Sequence, residues 1–146
     1  TQIILPATDD SFSGEKLGLQ WQFNHNPVDE AWSLTEQKGK LTFHALQAEN
    51  FMKACNTLTP KTMGYTGTAT VKMAWSNKDL VDSQRSGLAC MGNHNWTIGV
   101  MQEDGQRYVY LENNKGILQK KPLKGNVIYL LLQRIYLITT IYAQEK

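Results

Sequence analysis

Hydrophobic and polar residues alternate with a period of two over most of the chain, and a helical period is hard to find. In the segment 68–75, every second residue from Ala69 onward is apolar. Successive side chains of a strand point to opposite faces of a sheet, so this pattern predicts a half-buried strand. The same interpretation predicts further strands at 19–23, 40–46, 87–91, 96–102, 106–112, 116–119, 127–132 and 135–142.

Short turn signals separate these segments. Asp104-Gly105 predicts a hairpin with a type I′ turn, because glycine accepts a positive φ without steric cost. Asn113–Gly116 and Lys124–Asn126 close the next two connections, so the segment 96–132 is predicted to be an antiparallel meander. About ten short strands spaced in this way predict an all-β fold, an antiparallel two-sheet β-sandwich or jelly roll.

The segment 135–142 is a predicted strand close to the end of the sequence. No further turn or strand follows it, so we expect it to lack a pairing partner within the chain. An unpaired apolar edge is prone to aggregation. We therefore expect further chain or a partner to cover this edge.

Length and charge narrow the classes of protein. The 146 residues suit one domain over 1–146 with its own core. A net charge of only +2 lacks the electrostatic footprint of a nucleic-acid-binding protein. The most apolar run, 127–142, is interrupted by Gln133 and Arg134 and is shorter than the roughly 20 apolar residues that span a bilayer. We predict neither a nucleic-acid partner nor a membrane partner.

The chain has two cysteines, Cys55 and Cys90, which form one disulfide or none. The favoured interpretation is that both are small buried side chains.

The segment 17–34 combines two tryptophans with a polar turn. Indole rings offer flat apolar faces, and amide and imidazole groups offer donors and acceptors for hydroxyl groups, which together match the surfaces of a sugar. The candidate residues for carbohydrate binding here are Trp21, Gln22, Asn24, His25, Asn26 and Trp32. The alternative is a tight turn held by Asx hydrogen bonds with both indoles in the core. His94 and Trp96 form a second candidate patch, for which a surface turn before a core tryptophan is the alternative.

Five motifs in order carry a resemblance to a known family. They are Trp32-Ser33-Leu34-Thr35-Glu36, Gly39 before the Leu41 strand, Asn56-Thr57-Leu58-Thr59, Gly87-Leu88-Ala89 and Ile98-Gly99-Val100. With the segment 17–34, they make the chain similar to the C-terminal, concanavalin A-like β-sandwich of family 43 glycoside hydrolases, the β-xylosidases and α-arabinofuranosidases. The chain departs from the family pattern at Cys55 and at Pro60-Lys61, where members commonly carry arginines.

The resemblance implies an accessory role. In this family the catalytic carboxylates belong to a five-bladed propeller, and the sandwich packs against it and lends a loop to the rim of the pocket. We expect the Asn24–Asn26 loop to supply that surface, with xylan or arabinan oligosaccharides as ligands. The resemblance also implies that the last strands of the module are missing from 1–146, and that the parent enzyme is secreted or periplasmic.

The residues themselves give little support for catalysis. A glycosidase needs two facing carboxylates, and the acidic residues here occur singly or in turns. Three scattered histidines give weak support for zinc. Calcium is the more plausible metal, with Asp9 and Asp10 as ligands and the remaining ligands from absent strands. We therefore expect a non-catalytic accessory domain; the alternatives are a free-standing carbohydrate-binding module and a sandwich glycosidase.

Overall fold

The computed structural model describes residues 7–60, 64, 66–76, 81–135 and 138–145. Contacts divide the chain into two compact units, Thr1–Thr62 and Met63–Lys146. The single domain expected from the length stays a prediction. Across the described ranges, the only helices are two single 3₁₀ turns, Asp29–Ala31 and Phe51–Lys53, so the all-β class is confirmed. The strands are β1 (Trp21–Phe23), β2 (Trp32–Ser33), β3 (Thr42–Phe43), β4 (Leu58–Pro60), β5 (Thr66–Ala74), β6 (Arg85–Cys90), β7 (Trp96–Glu103), β8 (Gln106–Asn113), β9 (Gly116–Pro122), β10 (Val127–Ile135) and β11 (Ile138–Glu145).

The second unit is built from two antiparallel sheets, one in the order β6-β7-β8-β9 and the other in the order β11-β10-β5. The core cluster of this unit includes two residues of β10, Ile128 and Leu130, which are 1% and 0% exposed. Ile98, Val100 and Leu123 complete this buried cluster. Side chains from both sheets pack against it, including Val71 and Met73 of β5, so the unit is a β-sandwich, as predicted.

The predicted meander ends one strand early. Strands β6 to β9 pair in sequence order, but β10 pairs with β5 in the other sheet, from Val127↔Ala74 to Ile135↔Thr66. The chain leaves the first sheet at Leu123, which is buried and donates its N–H to the carbonyl of Arg107. The carbonyl of Asn126 then accepts the N–H of Trp75. The sequence signal at Lys124–Asn126 predicts a turn, but it does not predict which sheet the next strand joins.

Two further strand predictions need correction. The C-terminal strand has a partner within the chain, since β11 pairs with β10 from Ile128↔Glu145 to Ile135↔Ile138. The predicted strand 40–46 shortens to Thr42–Phe43. It stops because the carbonyl of His44 accepts a hydrogen bond from the side-chain amide of Asn56, and not from a neighbouring strand.

The first unit contains two short antiparallel pairs, β1 with β4 and β2 with β3. In the first pair, Trp21 faces Pro60 and Phe23 faces Leu58; in the second, Trp32 faces Phe43. Ala31 and Leu34 are the buried apolar residues among those described in this unit. No helix in the described ranges has the length and apolar character needed to cross a bilayer.

The two-residue turn between β7 and β8 has the geometry that its sequence predicts. Asp104 and Gly105 join β7 to β8 with φ values of 51° and 70°. Two consecutive positive φ values are typical of a type I′ turn, whose twist matches that of the flanking strands. The hairpin prediction for this turn is confirmed.

Candidate functional site

The indole of Trp21 is held by an acidic side chain from the N-terminal segment. Its Nε1 donates a 2.6 Å hydrogen bond to Oδ2 of Asp10, which also accepts a 3.2 Å bond from Nε2 of Gln20. The ring of Phe12 packs on the indole with a centroid separation of 5.6 Å and a tilt of 32°. Trp21 is half-buried, and these contacts pack its ring within the first unit, while its role in carbohydrate binding stays a prediction.

Trp32 also packs within the first unit. Its ring centroid lies 5.3 Å from that of Phe23, with the two planes tilted by 53°. Its Nε1 is buried and has no hydrogen-bond partner among the described residues. The two indoles each contact a different phenylalanine and both residues are half-buried, which favours packing over sugar stacking.

The polar loop between the two tryptophans is exposed and is fixed through its backbone and one ring. The N–H of Asn24 donates a 2.9 Å bond to the carbonyl of Thr57. Nε2 of His25 donates a 2.6 Å bond to the carbonyl of Met52, since a carbonyl only accepts. The side chains of Asn24 and Asn26 make no hydrogen bond to any described residue. Gln22 is exposed, and its carbonyl accepts a bond from Oγ1 of Thr59.

The second predicted patch is a cavity at one end of the β6–β9 sheet. The loop between β6 and β7 and the turn between β8 and β9 meet there, because Trp96 pairs with Asn113 across β7 and β8. The cavity has a volume of about 220 Å³. His94 and Trp96 were identified from the sequence, but three lining residues of the second turn were missed. The lining residues are His94, Trp96, Asn113, Asn114 and Lys115.

Side-chain amides tie the two loops of this cavity together. Oδ1 of Asn114 accepts the N–H of Asn95 at 2.9 Å, and its Nδ2 donates to the carbonyl of Asn93 at 3.1 Å. Within the first loop, Oδ1 of Asn95 accepts the N–H of Gly92. Within the second turn, Oδ1 of Asn113 accepts the N–H of Lys115 at 2.8 Å. The sequence marked Asn113–Gly116 as a turn, but the bonds of Asn114 to the first loop depend on strand pairing and have no local signal.

Four pairs of oppositely ionisable side chains lie on the described surface. The ion pairs are His44–Glu36, Lys53–Glu49, Arg85–Glu112 and Lys120–Glu103. The hydrogen bond from Lys120 to Glu103 raises the pKa of that lysine. Burial raises the pKa of Tyr110 to about 12, and the Arg85 guanidinium partly offsets this rise. Glu49, Glu103 and Glu112 thus contact a lysine or an arginine, and Glu36 contacts an imidazole.

The family model that matches this chain covers residues 9–146 and describes the C-terminal concanavalin A-like domain of β-xylosidase. The chain belongs to that family. The resemblance inferred from the five sequence motifs is therefore confirmed.

Relatives of known name carry this domain as a small part of a longer chain. A putative β-xylosidase of Xylanibacter ruminicola is 37% identical over 91 residues, which are 62% of this chain and 17% of that protein. A β-xylosidase of Formosa agariphila is 33% identical over 131 residues, covering 74% of this chain and 22% of that protein. The chain thus spans about a fifth of the length of these relatives.

Solved structures agree on the fold. A GH43 protein from Bacillus licheniformis matches all of this chain and 30% of its own length, with a TM-score of 0.86 and 22% identity. A bifunctional GH43-CE protein from Bacteroides eggerthii matches 94% of this chain and 19% of its own length, with a TM-score of 0.84 and 27% identity. The concanavalin A-like β-sandwich predicted from the sequence is confirmed.

One family motif holds the exposed Asn24–Asn26 loop. In the Asn56–Thr59 motif, the carbonyl of Thr57 accepts the N–H of Asn24, and Oγ1 of Thr59 donates to the carbonyl of Gln22. Leu58 pairs with Phe23 between these two bonds. The motif thus fixes the start of the loop, and Cys55 and Pro60, where this chain departs from the family pattern, flank it.

The metal and cysteine predictions have different outcomes in this family member. Both carboxylate oxygens of Asp10 accept hydrogen bonds, Oδ1 from the N–H of Phe12 and Oδ2 from Trp21 and Gln20. Asp9 is exposed. In the described part of the chain, no three His, Cys, Asp or Glu side chains are close enough to hold a metal ion. Calcium at Asp9 and Asp10 stays a prediction.

The two cysteines do not form a disulfide with each other. Cys55 and Cys90 are free thiols, each half-buried.

Proposed function

We propose that this chain is the accessory domain of a xylan- or arabinan-degrading glycoside hydrolase, and that it has no hydrolytic activity of its own. The observation that carries the proposal is the match of residues 9–146 to a C-terminal domain family whose named members are about five times longer. The catalytic carboxylates of such an enzyme belong to a separate propeller domain. Glu49, Glu103 and Glu112 are ion-paired with a lysine or an arginine, which agrees with a non-catalytic role.

The first unit supplies the surface that we propose for packing on the propeller. It carries four large apolar side chains that are exposed in the described structure, namely Leu19, Val28, Phe43 and Met52. Exposed apolar side chains gain free energy when a partner covers them. The Asn24–Asn26 loop lies in the same unit, and His25 binds the backbone carbonyl of Met52, one of these four residues. We place the loop at the rim of the substrate pocket.

The rim position explains the chemistry of the loop. The side-chain amides of Asn24 and Asn26 have no partner among the described residues, so both donors and both acceptors are open to sugar hydroxyl groups. The hydrogen bonds of Asn24 and His25 hold the loop in place before a ligand arrives. Xylans and arabinans lie outside the cell, so the proposal also places the parent enzyme in a secreted or periplasmic compartment.

An association experiment tests the packing role. We take the Formosa agariphila β-xylosidase without the region that aligns with this chain. This truncated protein is purified and mixed with this chain, and analytical ultracentrifugation measures the complex. The relative's own C-terminal part serves as the positive control. We expect a 1:1 complex that Phe43→Asp weakens. Ile117→Asp is the matched control, because Ile117 is equally exposed but lies on β9 in the second unit. Association of the control part without association of this chain would contradict the packing role.

A further inference from the structure

The cavity lined by His94, Trp96, Asn113, Asn114 and Lys115 combines three kinds of chemistry. Trp96 gives it an apolar aromatic wall, and Asn113 contributes an amide group whose Nδ2 has no described partner. The Nζ of Lys115 makes no ion pair with any described residue, unlike Lys53 and Lys120. Among the described residues, the lining of the cavity contains no aspartate or glutamate. The site therefore offers one unneutralised cation beside an aromatic face.

The size of the cavity limits the ligand. At about 220 Å³ it is smaller than the roughly 300–1,000 Å³ of pockets that hold drug-sized molecules. One monosaccharide unit suits this volume better than an oligosaccharide does. Asn114 joins the two loops of the cavity through both ends of its amide, so the protein's own hydrogen bonds hold the shape of the cavity. A preformed site loses little conformational freedom on binding.

From these features we infer that the cavity binds a single acidic sugar unit, a uronic acid, through its ring and its carboxylate. The sugar ring packs on the indole of Trp96, the ammonium group of Lys115 pairs with the carboxylate, and the amide of Asn113 bonds a hydroxyl group. This site is separate in sequence from the Asn24–Asn26 loop and lies wholly within the second unit. Only the source of the ligand, an acid-decorated plant polysaccharide, rests on the proposed function.

Titration of the whole chain with monosaccharides tests the inference. The ¹⁵N-labelled protein is titrated with D-glucuronate, D-xylose and acetate, and the indole N–H signal of Trp96 is assigned from its loss in Trp96→Phe. We expect saturable shifts of that signal with glucuronate, and weaker binding of xylose and acetate. Lys115→Gln should weaken glucuronate binding about tenfold and leave xylose binding unchanged, since only the acid has a charge-assisted bond to lose.

Lys121→Gln is the matched control, because Lys121 is an exposed lysine on β9, the strand that follows Lys115, and lies five residues or roughly 16 Å beyond Gly116. It should bind glucuronate as the parent chain does. Equal binding of glucuronate and xylose, equal binding of glucuronate and acetate, or no shift at Trp96 would each overturn the inference. The test uses neither a propeller nor a cleavage assay, so its failure is distinguishable from failure of the proposed accessory role.

Discussion

Nε1 of Trp21 donates a 2.6 Å hydrogen bond to Oδ2 of Asp10, which lies eleven residues earlier in the chain. The sequence suggested a sugar-stacking role for the tryptophan and a calcium-binding role for the aspartate. The structure brings the two residues together as one structural unit. The bond fixes the N-terminal segment to β1. The exposed Asn24–Asn26 loop begins directly after β1.

Replacing Asp10 should destabilise the first unit. Asp10→Ala removes the acceptor of Trp21, Gln20 and the N–H of Phe12, and we expect a loss of about 1–3 kcal/mol in the free energy of unfolding because these part-buried donors lose their bonds. Denaturant titration followed by tryptophan fluorescence measures it. Asp9→Ala is the control, since Asp9 is exposed and makes no described bond, and its effect should be near zero. Equal stability of both variants would contradict this role for Asp10.

Two family motifs each contribute a glycine, Gly87 and Gly99, and we expect that neither position tolerates a residue with a side chain. Gly87 faces Gly99 across β6 and β7, and a Cβ on Gly87 would lie 2.2 Å from the carbonyl oxygen of Ile98. We expect Gly87→Ala to cost at least about 3 kcal/mol, because strand backbones are tightly packed at this point. Gly67→Ala on β5 is the control, where nothing lies within 4 Å of the added Cβ. Thermal unfolding compares them, and a mild effect of Gly87→Ala would show that the strands separate easily.

Stability should fall at high pH because of Tyr110. Burial raises the pKa of its hydroxyl to about 12 in the folded state, against the ordinary 10.0. Below pH 10 the hydroxyl is protonated in the folded and the unfolded chain, and its contribution to the free energy of unfolding is fully present. Above pH 10 the unfolded chain ionises first, so the contribution is lost as pH rises towards 12, with a total of roughly 2–3 kcal/mol. Denaturation of the parent chain and Tyr110→Phe across pH 8–12 should show a steeper decline in the parent. Parallel curves would contradict this assignment.

The link between the two loops of the cavity should matter for stability as well as for binding. Asn114→Ala removes the bonds to Asn95 and Asn93, and we expect a loss of about 1–2 kcal/mol, given that both groups are near the surface. Asn126→Ala is the control, because only the backbone carbonyl of Asn126 makes a described bond. Hydrogen exchange of the Asn95 amide should accelerate in Asn114→Ala and not in the control. Unchanged hydrogen exchange of the Asn95 amide would show that the loop between β6 and β7 is stable without the bonds from Asn114.

Local sequence signals predicted much of the fold. The alternating residues of 68–75 and 106–112 became β5 and β8, and Asp104-Gly105 formed its type I′ turn, because each of these features depends on neighbours in the chain. The transfer of β10 to the second sheet was not predicted. That choice depends on the burial of Leu123, Ile128 and Leu130 between sheets, which is a property of the assembled core.

The candidate sites show the same division. His94 and Trp96 were recognisable as an aromatic residue beside a polar loop, whereas Asn114 and Lys115 join them only through the pairing of β7 with β8. The indoles of Trp21 and Trp32 had the right chemistry for sugars. Their packing against Phe12 and Phe23 depends on contacts that no spacing rule reveals.

Sugar release by the purified chain tests the central claim most directly. The chain is incubated with aryl β-D-xyloside, aryl α-L-arabinofuranoside and xylohexaose, beside the full-length Formosa agariphila β-xylosidase as a positive control. The account predicts no release above the buffer blank from this chain, because the proposed function assigns the pair of catalytic carboxylates to another domain of the parent enzyme. Release that scales with the concentration of this chain and persists through repurification would contradict the accessory role.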